Sequence, residues 1–303
     1  MFYKLTIILL VVCSTFFEAH SQGCSDAGFC SISGINPSSH LDSNKTLNSQ
    51  VLFGLNSGLA QFGVFISNPF IQADYSISDD FKVSAKITYA LISGSLASNQ
   101  GLSDLYITTQ TRINKNISFI SGVKIPFNEA NESKDGYSLP MSYQTTLGTY
   151  DYLAGLNYSV SNFLISIGTQ IPLVQNNNGF FVENFIADDI DTNYISTNKF
   201  VRKSDLIFRF NYRLKLKNEK LKLTIGTMPI YHLKNDEYKD TNGIRKSING
   251  SEGLTLNVNS VLRYKITKTA FFDLTVGLPV MSRTSRPDGL SQLALNLQYG
   301  IKF

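Results

Sequence analysis

The sequence contains no tryptophan, and only three cysteines and three histidines occur among its 303 residues. Charged residues make up 17% of the chain, against ~25% in ordinary soluble domains. The formal net charge is only +4 and lysine and arginine form no cluster, so nucleic acid is not a predicted partner. Beyond the first residues, no apolar run reaches the ~20 residues of a membrane-spanning helix. Insertion into a membrane would therefore have to use strands.

Signals for catalysis or metal binding are equally scarce. A barrel hydrolase needs a histidine close to a nucleophilic serine, but His232 has no serine nearby and His40 lies before the first strand. No phosphate-binding, dinucleotide-binding, EF-hand or zinc motif is present. Asp188, Asp189 and Asp191 could contact a cation, but an acidic loop is usually only solvated. We therefore predict a protein that is not an enzyme and that holds no cofactor and no metal.

The N-terminus has the pattern of a removable export signal. A lysine precedes an apolar run at residues 5–17, and Ala-His-Ser at 19–21 supplies the small-x-small pattern of a cleavage site. We predict a signal peptide at 1–21, removed between Ser21 and the glutamine that follows it. An uncleaved anchor helix is one alternative. Lipidation of Cys24 is another, although the leucine expected three positions upstream is missing.

The mature chain would retain one pair of cysteines, Cys24 and Cys30. A pair of cysteines in an exported chain usually forms a disulfide, which here would close a small loop. A metal-binding or redox role has less support, because no histidine lies inside the loop and there is no CxxC motif. We interpret residues 22–46 as a periplasmic segment or a plug that carries this pair.

From about residue 50 onward, apolar and polar residues alternate with a period of two, which is typical of half-buried strands. The pattern is clear at 81–91, 206–216 and 254–266, and clearest at 293–303, where it continues to the final phenylalanine. A last strand of this kind resembles the assembly signal of bacterial outer-membrane barrels, carried here by Tyr299, Ile301 and Phe303.

The connections between these segments come in two sizes. Short polar turns lie at 78–80, 114–116, 161–162, 217–220 and 267–269, and longer stretches lie near 95–103, 128–147, 175–204, 234–252 and 282–290. Transmembrane barrels have short periplasmic turns and long outer loops. We therefore predict an all-β, transmembrane, antiparallel up-and-down barrel of about twelve strands over 47–303, in the outer membrane. A soluble β-sandwich is the alternative, but its strands are usually only ~5–6 residues long.

In the predicted strands, the charged residues alternate with the apolar ones and lie on the opposite face. In a barrel whose apolar face contacts lipid, the charged side chains therefore face the lumen. The predicted lumen-lining residues are Lys86, Arg112, Lys124, Arg209, Arg213, Arg263, Asp74, Asp151 and Asp273. A mainly basic lining would favour anions in a narrow pore. Alternatively, the cations pair with the three aspartates and brace a closed lumen, while Lys82, Lys215, Lys222, Lys265 and Lys302 are solvated at the periplasmic rim.

The longest outer loop is unusually rich in apolar residues: Phe180, Phe181, Phe185 and Ile186. Apolar residues in such a loop either fold into the barrel mouth or contact a ligand. We favour folding into the mouth.

Four strands share a glycine–proline motif near their outer ends: Gly122-Val-Lys-Ile-Pro126, Gly168-Thr-Gln-Ile-Pro172, and the shorter Gly226–Pro229 and Gly277–Pro279. With the Gly-Thr-x-Asp and Gly-Leu pattern at 147–158, the sequence resembles the outer-membrane barrel family named for the "MetA pathway of phenol degradation". The cysteine segment and the abundant Asn, Ser and Lys resemble its Bacteroidota members. The resemblance implies a transporter-like barrel that passes small molecules, aromatic or apolar ones among them.

Two functions follow as hypotheses. The first is an outer-membrane channel for small solutes, with an anion bias from its basic lumen. The second is a closed structural or docking barrel that partners a periplasmic or surface protein. In both cases the predicted partners are outer-membrane lipid and the barrel assembly machinery. The sequence does not identify the solute.

Overall fold

The computed structural model describes residues 49–188, 194–218, 220–288 and 293–303. Twelve antiparallel strands in these ranges form one closed barrel, in which each strand pairs with its neighbours in sequence and the last strand pairs with the first. The strands are β1 (Gln50–Leu59), β2 (Phe65–Ser76), β3 (Phe81–Ser93), β4 (Ser98–Arg112), β5 (Ile117–Pro126), β6 (Tyr150–Val160), β7 (Phe163–Val174), β8 (Asp205–Leu214), β9 (Leu221–His232), β10 (Gly253–Lys265), β11 (Ala270–Met281) and β12 (Leu293–Lys302).

The predicted up-and-down barrel is thus confirmed. The predicted signal peptide and the Cys24–Cys30 segment lie outside the described residues. Within the described part of the chain, no helix is long and apolar enough to cross a membrane.

Alternation of side chains creates two different surfaces on the barrel. In β8, Ile207, Arg209 and Asn211 point inward and are buried, whereas Phe210 and Tyr212 point outward and are exposed. The same parity holds around the barrel, so large apolar side chains cover its outside. Outward aromatic residues ring the end that carries the short turns: Tyr75, Tyr158, Tyr212, Tyr264, Phe272 and Tyr299. An apolar band with an aromatic girdle is the outer surface of a membrane barrel.

All five predicted short turns connect neighbouring strands, and both barrel termini lie at the same end as these turns. The predicted long loop at 95–103 is wrong, because β4 already begins at Ser98 and only 94–97 connect it to β3. The register of β3 and β4 shifts between Ile87 and Tyr89. This β-bulge interrupts the alternation of β4, and so the start of the strand resembles a loop in the sequence.

The four longer outer connections fold back over their end of the barrel. They include two short hairpins, Ser133–Lys134 with Tyr137–Ser138 and Glu237–Lys239 with Arg245–Ser247. Loop side chains form an apolar cluster with the outer ends of β2 and β3. The cluster includes Ala60, Val64, Ile66, Ile92, Leu96, Leu139, Tyr143, Phe180, Phe185 and Tyr194. The prediction that the loop aromatics fold into the mouth is confirmed for Phe180 and Phe185, which are 0% and 3% exposed.

One side of the lumen is filled with apolar side chains. These point inward from β4, β5, β6, β8 and β9 and form a buried cluster of Tyr106, Ile120, Leu153, Ile207 and Met228. Full burial of one such side chain contributes about 1.5–3 kcal/mol. The cluster therefore stabilises the barrel and confines any solute path to the opposite wall.

Candidate functional site

A cavity of about 140 Å³ lies inside the lumen, beside this apolar cluster. Its wall comes mostly from β1–β4 and β10–β12, and its roof is segment 141–147 of the β5–β6 loop. The roof is fastened to the wall: Thr146 Oγ1 donates a hydrogen bond to Asp104 Oδ1 at 2.7 Å, and Asn99 Nδ2 donates to the carbonyl oxygen of Tyr143 at 3.0 Å. The outer mouth is therefore closed above the cavity.

A row of polar side chains crosses the cavity wall. Asn56 on β1 lies opposite Asn68 of β2 on one side and opposite Asn296 of β12 on the other. Asn296 Nδ2 donates a hydrogen bond to Asn56 Oδ1, and Thr275 continues the row on β11. The amide oxygens of Asn68, Asn296 and the nearby Asn259 are buried without a hydrogen-bond partner. The cavity wall is therefore lined by amide side chains on neighbouring strands.

Two inward phenylalanines narrow the lumen between the cavity and the short-turn end. Phe70 lies over Gly54 and Phe271 lies over Gly300, so a Cβ on either glycine would come within 2.3 Å or 2.2 Å of a ring carbon. With Leu52 the two rings form a buried apolar cluster. Only glycine leaves room for these rings, and the close fit fixes their position.

Two of the predicted lumen-lining cations rest on these rings. Lys86 Nζ lies 3.9 Å from the Phe70 ring centre, and the Arg263 guanidinium lies 3.8 Å from that of Phe271. A cation over an aromatic face is attracted by the ring quadrupole. The constriction formed by Phe70 and Phe271 therefore has two aromatic rings, each with a cationic side chain over its face.

The three predicted aspartates are all buried and pair with inward partners. Lys124 Nζ lies 3.1 Å from Asp151, and Arg263 donates two hydrogen bonds to Asp273, at 2.6 and 2.7 Å. Asp74 accepts hydrogen bonds from two glutamines and lies 4.0 Å from Lys82. These contacts support the interpretation that the three aspartates and their partners brace the lumen. Lys82, interpreted as a solvated rim residue, is in fact 5% exposed.

The other predicted lumen residues lie at different positions along the barrel axis. Arg209 is buried and lines the cavity. Arg112 lies at the short-turn rim, 3.6 Å from the exposed Asp80, and Lys215 lies in a turn beyond the end of β8. The residues proposed as assembly signal, Tyr299, Ile301 and Phe303, all point outward and are exposed.

Basic side chains concentrate at the short-turn end of the lumen. Arg213, Lys222, Lys265 and Lys302 lie within two residues of the strand ends there, on the inward parity, and are partly exposed. Lys222 lies directly opposite Arg263 in the register of β9 and β10. Like charges in facing positions repel each other. Because several cationic side chains lie together here, this end of the lumen carries a local positive potential.

A buried ionic network at the outer mouth was not predicted from the sequence. It joins three loops to two strand ends through Arg202, Asp205, His232, Asp236, Arg283 and Asp288. Asp104, which holds the roof, was also missed. Most of these residues lie in loops or at strand ends, where alternation carries no information about pairing.

His232 lies at the centre of this network. Its Nδ1 is 2.7 Å from Asp205 Oδ1 and its Nε2 is 2.8 Å from Asp236 Oδ1. A neutral imidazole can donate only one hydrogen bond, whereas the imidazolium donates two. The protonated form therefore satisfies both carboxylates, and it balances three positive groups against three negative ones.

The loop members of the network hold each other in their charged forms. Burial opposes the charge of Arg283, but the Asp288 carboxylate at 2.6 Å raises the pKa of its guanidinium. Burial alone would raise the pKa of Asp288, yet Arg283 and Arg202 hold it below the usual 3.8. The network thus fastens the β11–β12 loop, and Asp288 itself lines the cavity.

The comparisons with known proteins concern the fold. No protein-family model and no curated protein matches the sequence. The structure is similar to an outer membrane channel from Pseudomonas putida F1, with a TM-score of 0.53 and 11% identity over 86% of this chain and 99% of that one. The translocator domain of autotransporter NalP from Neisseria meningitidis aligns with a TM-score of 0.48 and 10% identity, over 88% of this chain and 92% of that one. The CymD monoaromatic hydrocarbon channel aligns with a TM-score of 0.47 and 8% identity, over 94% of both chains. At these identities the likeness shows a shared barrel fold.

Proposed function

We propose that this chain is an outer-membrane channel for small solutes, with an outer mouth that its own loops close. The observation that carries the proposal is a cavity lined by both polar and apolar side chains, inside a closed barrel whose outside is apolar. Barrels of eight strands are filled by side chains, whereas those of sixteen or more leave a channel. Twelve strands lie between these limits, and the lumen here is filled on one side and hollow on the other.

The loops act as a gate in this proposal. The roof segment 141–147 consists of loop residues, and four of the six residues of the ionic network, Arg202, Asp236, Arg283 and Asp288, also lie in loops, whereas the barrel wall is held by continuous strand pairing. Loops open at a lower free energy than paired strands. Solute would therefore enter after the loops lift, pass the amide row, and leave through the constriction and the basic short-turn end.

The basic short-turn end supports an anion bias. Arg213, Lys222 and Lys265 lie close together on β8, β9 and β10, at the narrow exit of the proposed path. Like charges in a low-dielectric tube focus a positive potential and raise the local concentration of anions. The selectivity thus arises there, while the braced pairs Lys124–Asp151 and Arg263–Asp273 hold the lumen in shape.

The finer identity and the cellular context are also proposals. The glycine–proline strand ends support membership in the family named for the MetA pathway of phenol degradation, of Bacteroidota type. The N-terminal pattern supports export with a signal peptide at 1–21 and a Cys24–Cys30 disulfide. The outward side chains of Tyr299, Ile301 and Phe303, which are exposed, support recognition by the barrel assembly machinery. The other proposals of this paragraph rest on sequence patterns.

The proposal is tested by single-channel recording of the refolded protein in a planar bilayer, with a salt gradient to measure the reversal potential. We expect intermittent, anion-preferring current. In the variant Arg213→Gln/Lys222→Gln/Lys265→Gln, the reversal potential should move towards the non-selective value. The matched control is Lys268→Gln, which removes an exposed cation in a turn outside the lumen. An unchanged reversal potential in the triple variant would refute the anion bias but not the channel.

A docking barrel is the second candidate function, and the closed mouth is the observation that favours it. In that case the inward cations only brace the lumen and the protein folds and inserts but carries no current. Electrical silence under all voltages, also after the loops are opened by mutation, would support this second function.

A further inference from the structure

We infer that the lumen cavity is a binding site for a small, neutral, polyhydroxylated solute, a polyol of about the size of glycerol. The inference deepens the proposed channel function and rests on it, because it names the class of solute that the channel passes. It is carried by the chemistry of the cavity wall, and each step below concerns a different part of that wall.

The amide row supplies the polar contacts. Asn68, Asn56 and Asn296 lie side by side on three neighbouring strands, so their spacing is fixed by the sheet. Each amide offers both donors and acceptors, and a hydroxyl group likewise donates and accepts. The amide groups of Asn56, Asn68 and Asn296 line the cavity, although the oxygens of Asn68 and Asn296 are themselves buried in the wall. Adjacent hydroxyls on one solute can form hydrogen bonds with the amide groups of such a row.

Apolar surface faces the solute from elsewhere in the same cavity. Ile66, Phe70, Ile92 and Tyr106 all line it. The carbon skeleton of a polyol can pack against such side chains while its hydroxyls turn to the amides. A hydrocarbon would leave the amides unpaired, which is costly. An inorganic ion would gain nothing from the apolar side.

The charges of the lining favour a neutral solute. Lys86, Lys124 and Arg209 line the cavity together with Asp104 and Asp288, so both signs face the same space. A solute with one charge would be attracted by some of these groups and repelled by the others. A neutral solute avoids this repulsion and can still accept hydrogen bonds from the cationic groups.

The size of the cavity limits the solute. Its volume of about 140 Å³ is close to that of a cavity of about 150 Å³ that binds benzene. A small polyol such as glycerol has as many non-hydrogen atoms as benzene. Sugar rings and oligosaccharides are larger and would require the roof segment 141–147 to move.

The experiment compares current block by glycerol, erythritol, glycine and toluene in single-channel recordings, with each block normalised to the same channel's own ion current. We expect glycerol and erythritol to block at concentrations at which glycine and toluene do not. The test variant is Asn56→Leu/Asn296→Leu, which replaces both members of a hydrogen-bonded pair by apolar side chains with the same number of non-hydrogen atoms. Its concentration for half block should rise at least tenfold.

The matched control is Asn211→Leu, which changes an inward asparagine that does not line the cavity. Its half-block concentration should equal that of the wild type. Equal block in the wild type and the test variant, or a preference for toluene or glycine, overturns the inference. A wild type that conducts ions but is not blocked by either polyol also overturns it and leaves the channel function standing. Absence of any conductance overturns the channel function itself.

Discussion

Replacing Asp288 by asparagine should open the outer mouth at neutral pH. The Asp288 carboxylate is 2% exposed and accepts a hydrogen bond from Arg283 Nη2 at 2.6 Å, and Arg202 Nε lies 3.9 Å away. The variant Asp288→Asn keeps the shape of the side chain but leaves two buried guanidinium groups facing a neutral amide. The closed mouth then buries Arg283, in the same loop, without its carboxylate, and it loses the contact of this loop with Arg202 of the β7–β8 loop.

The magnitude follows from the burial of the pair. Removing one partner of a buried ion pair costs about 3–5 kcal/mol, and each 1.4 kcal/mol changes an equilibrium by about tenfold. The ratio of closed to open mouth should therefore fall by about two to four orders of magnitude. Because Asp288 belongs to a loop and not to the barrel wall, the free energy of unfolding of the barrel should change much less.

Acid should open the wild-type mouth through the same residue. A carboxylate whose pKa is lowered on folding stabilises the folded state fully above its unfolded value, 3.8 for Asp288, and this stabilisation is lost as the pH falls through the lower folded value. The wild type should therefore stay closed at pH 5 and open only well below pH 3.8. The variant Asp288→Asn should show no such transition, since it has no proton to gain at this position.

The assay is the open probability of single channels at pH 7 and across an acid series. Glu252→Gln is the control, because Glu252 is an exposed carboxylate in a neighbouring outer loop. We expect long openings in Asp288→Asn and wild-type behaviour in the control. An open probability in Asp288→Asn equal to that of the wild type, in a protein of unchanged thermal stability, would contradict the proposed role of the network.

Three further predictions concern the barrel itself. Asp273→Asn leaves Arg263 buried without its carboxylate and should lower the free energy of unfolding by about 3–5 kcal/mol, measured by urea unfolding in lipid vesicles. Gly300→Ala places a methyl group 2.2 Å from a ring carbon of Phe271, so the ring must move and the single-channel conductance should change. A conductance equal to that of the wild type would argue against a constriction at this ring. Ile167→Arg puts a charge on the outward apolar face and should destabilise the inserted barrel by about 2–4 kcal/mol; unchanged urea unfolding in vesicles would contradict a lipid-facing position.

The architecture could be predicted because it depends on local pattern. The period-two alternation fixed which residues point inward, and the five short turns fixed the strand count before any pairing was known. The start of β4 was missed because the bulge near Ser103 breaks the alternation. A local pattern thus predicts strands wherever pairing is regular and fails where an extra residue is inserted.

The candidate site could be predicted only in part. Inward charge was visible from the sequence, but the pairing of Lys124 with Asp151 depends on the register of β5 with β6, which alternation does not specify. The amide row was missed because it begins in β1 and β2, where Gly54, Pro69 and several polar residues weaken the pattern. The ionic network at the mouth depends on how three loops fold, and that is a tertiary property.

The central claim is that the barrel is a channel whose mouth is closed by its own loops. In the most direct test, residues 141–147 are replaced by alternating glycine and serine. The single-channel current of this variant is compared with that of the wild type in the same bilayer. Correct folding of the variant is checked by its heat-modifiable migration on gels. The account predicts brief openings in the wild type and sustained current in the variant. A variant that folds and inserts but stays silent would contradict the claim and would favour a closed docking barrel.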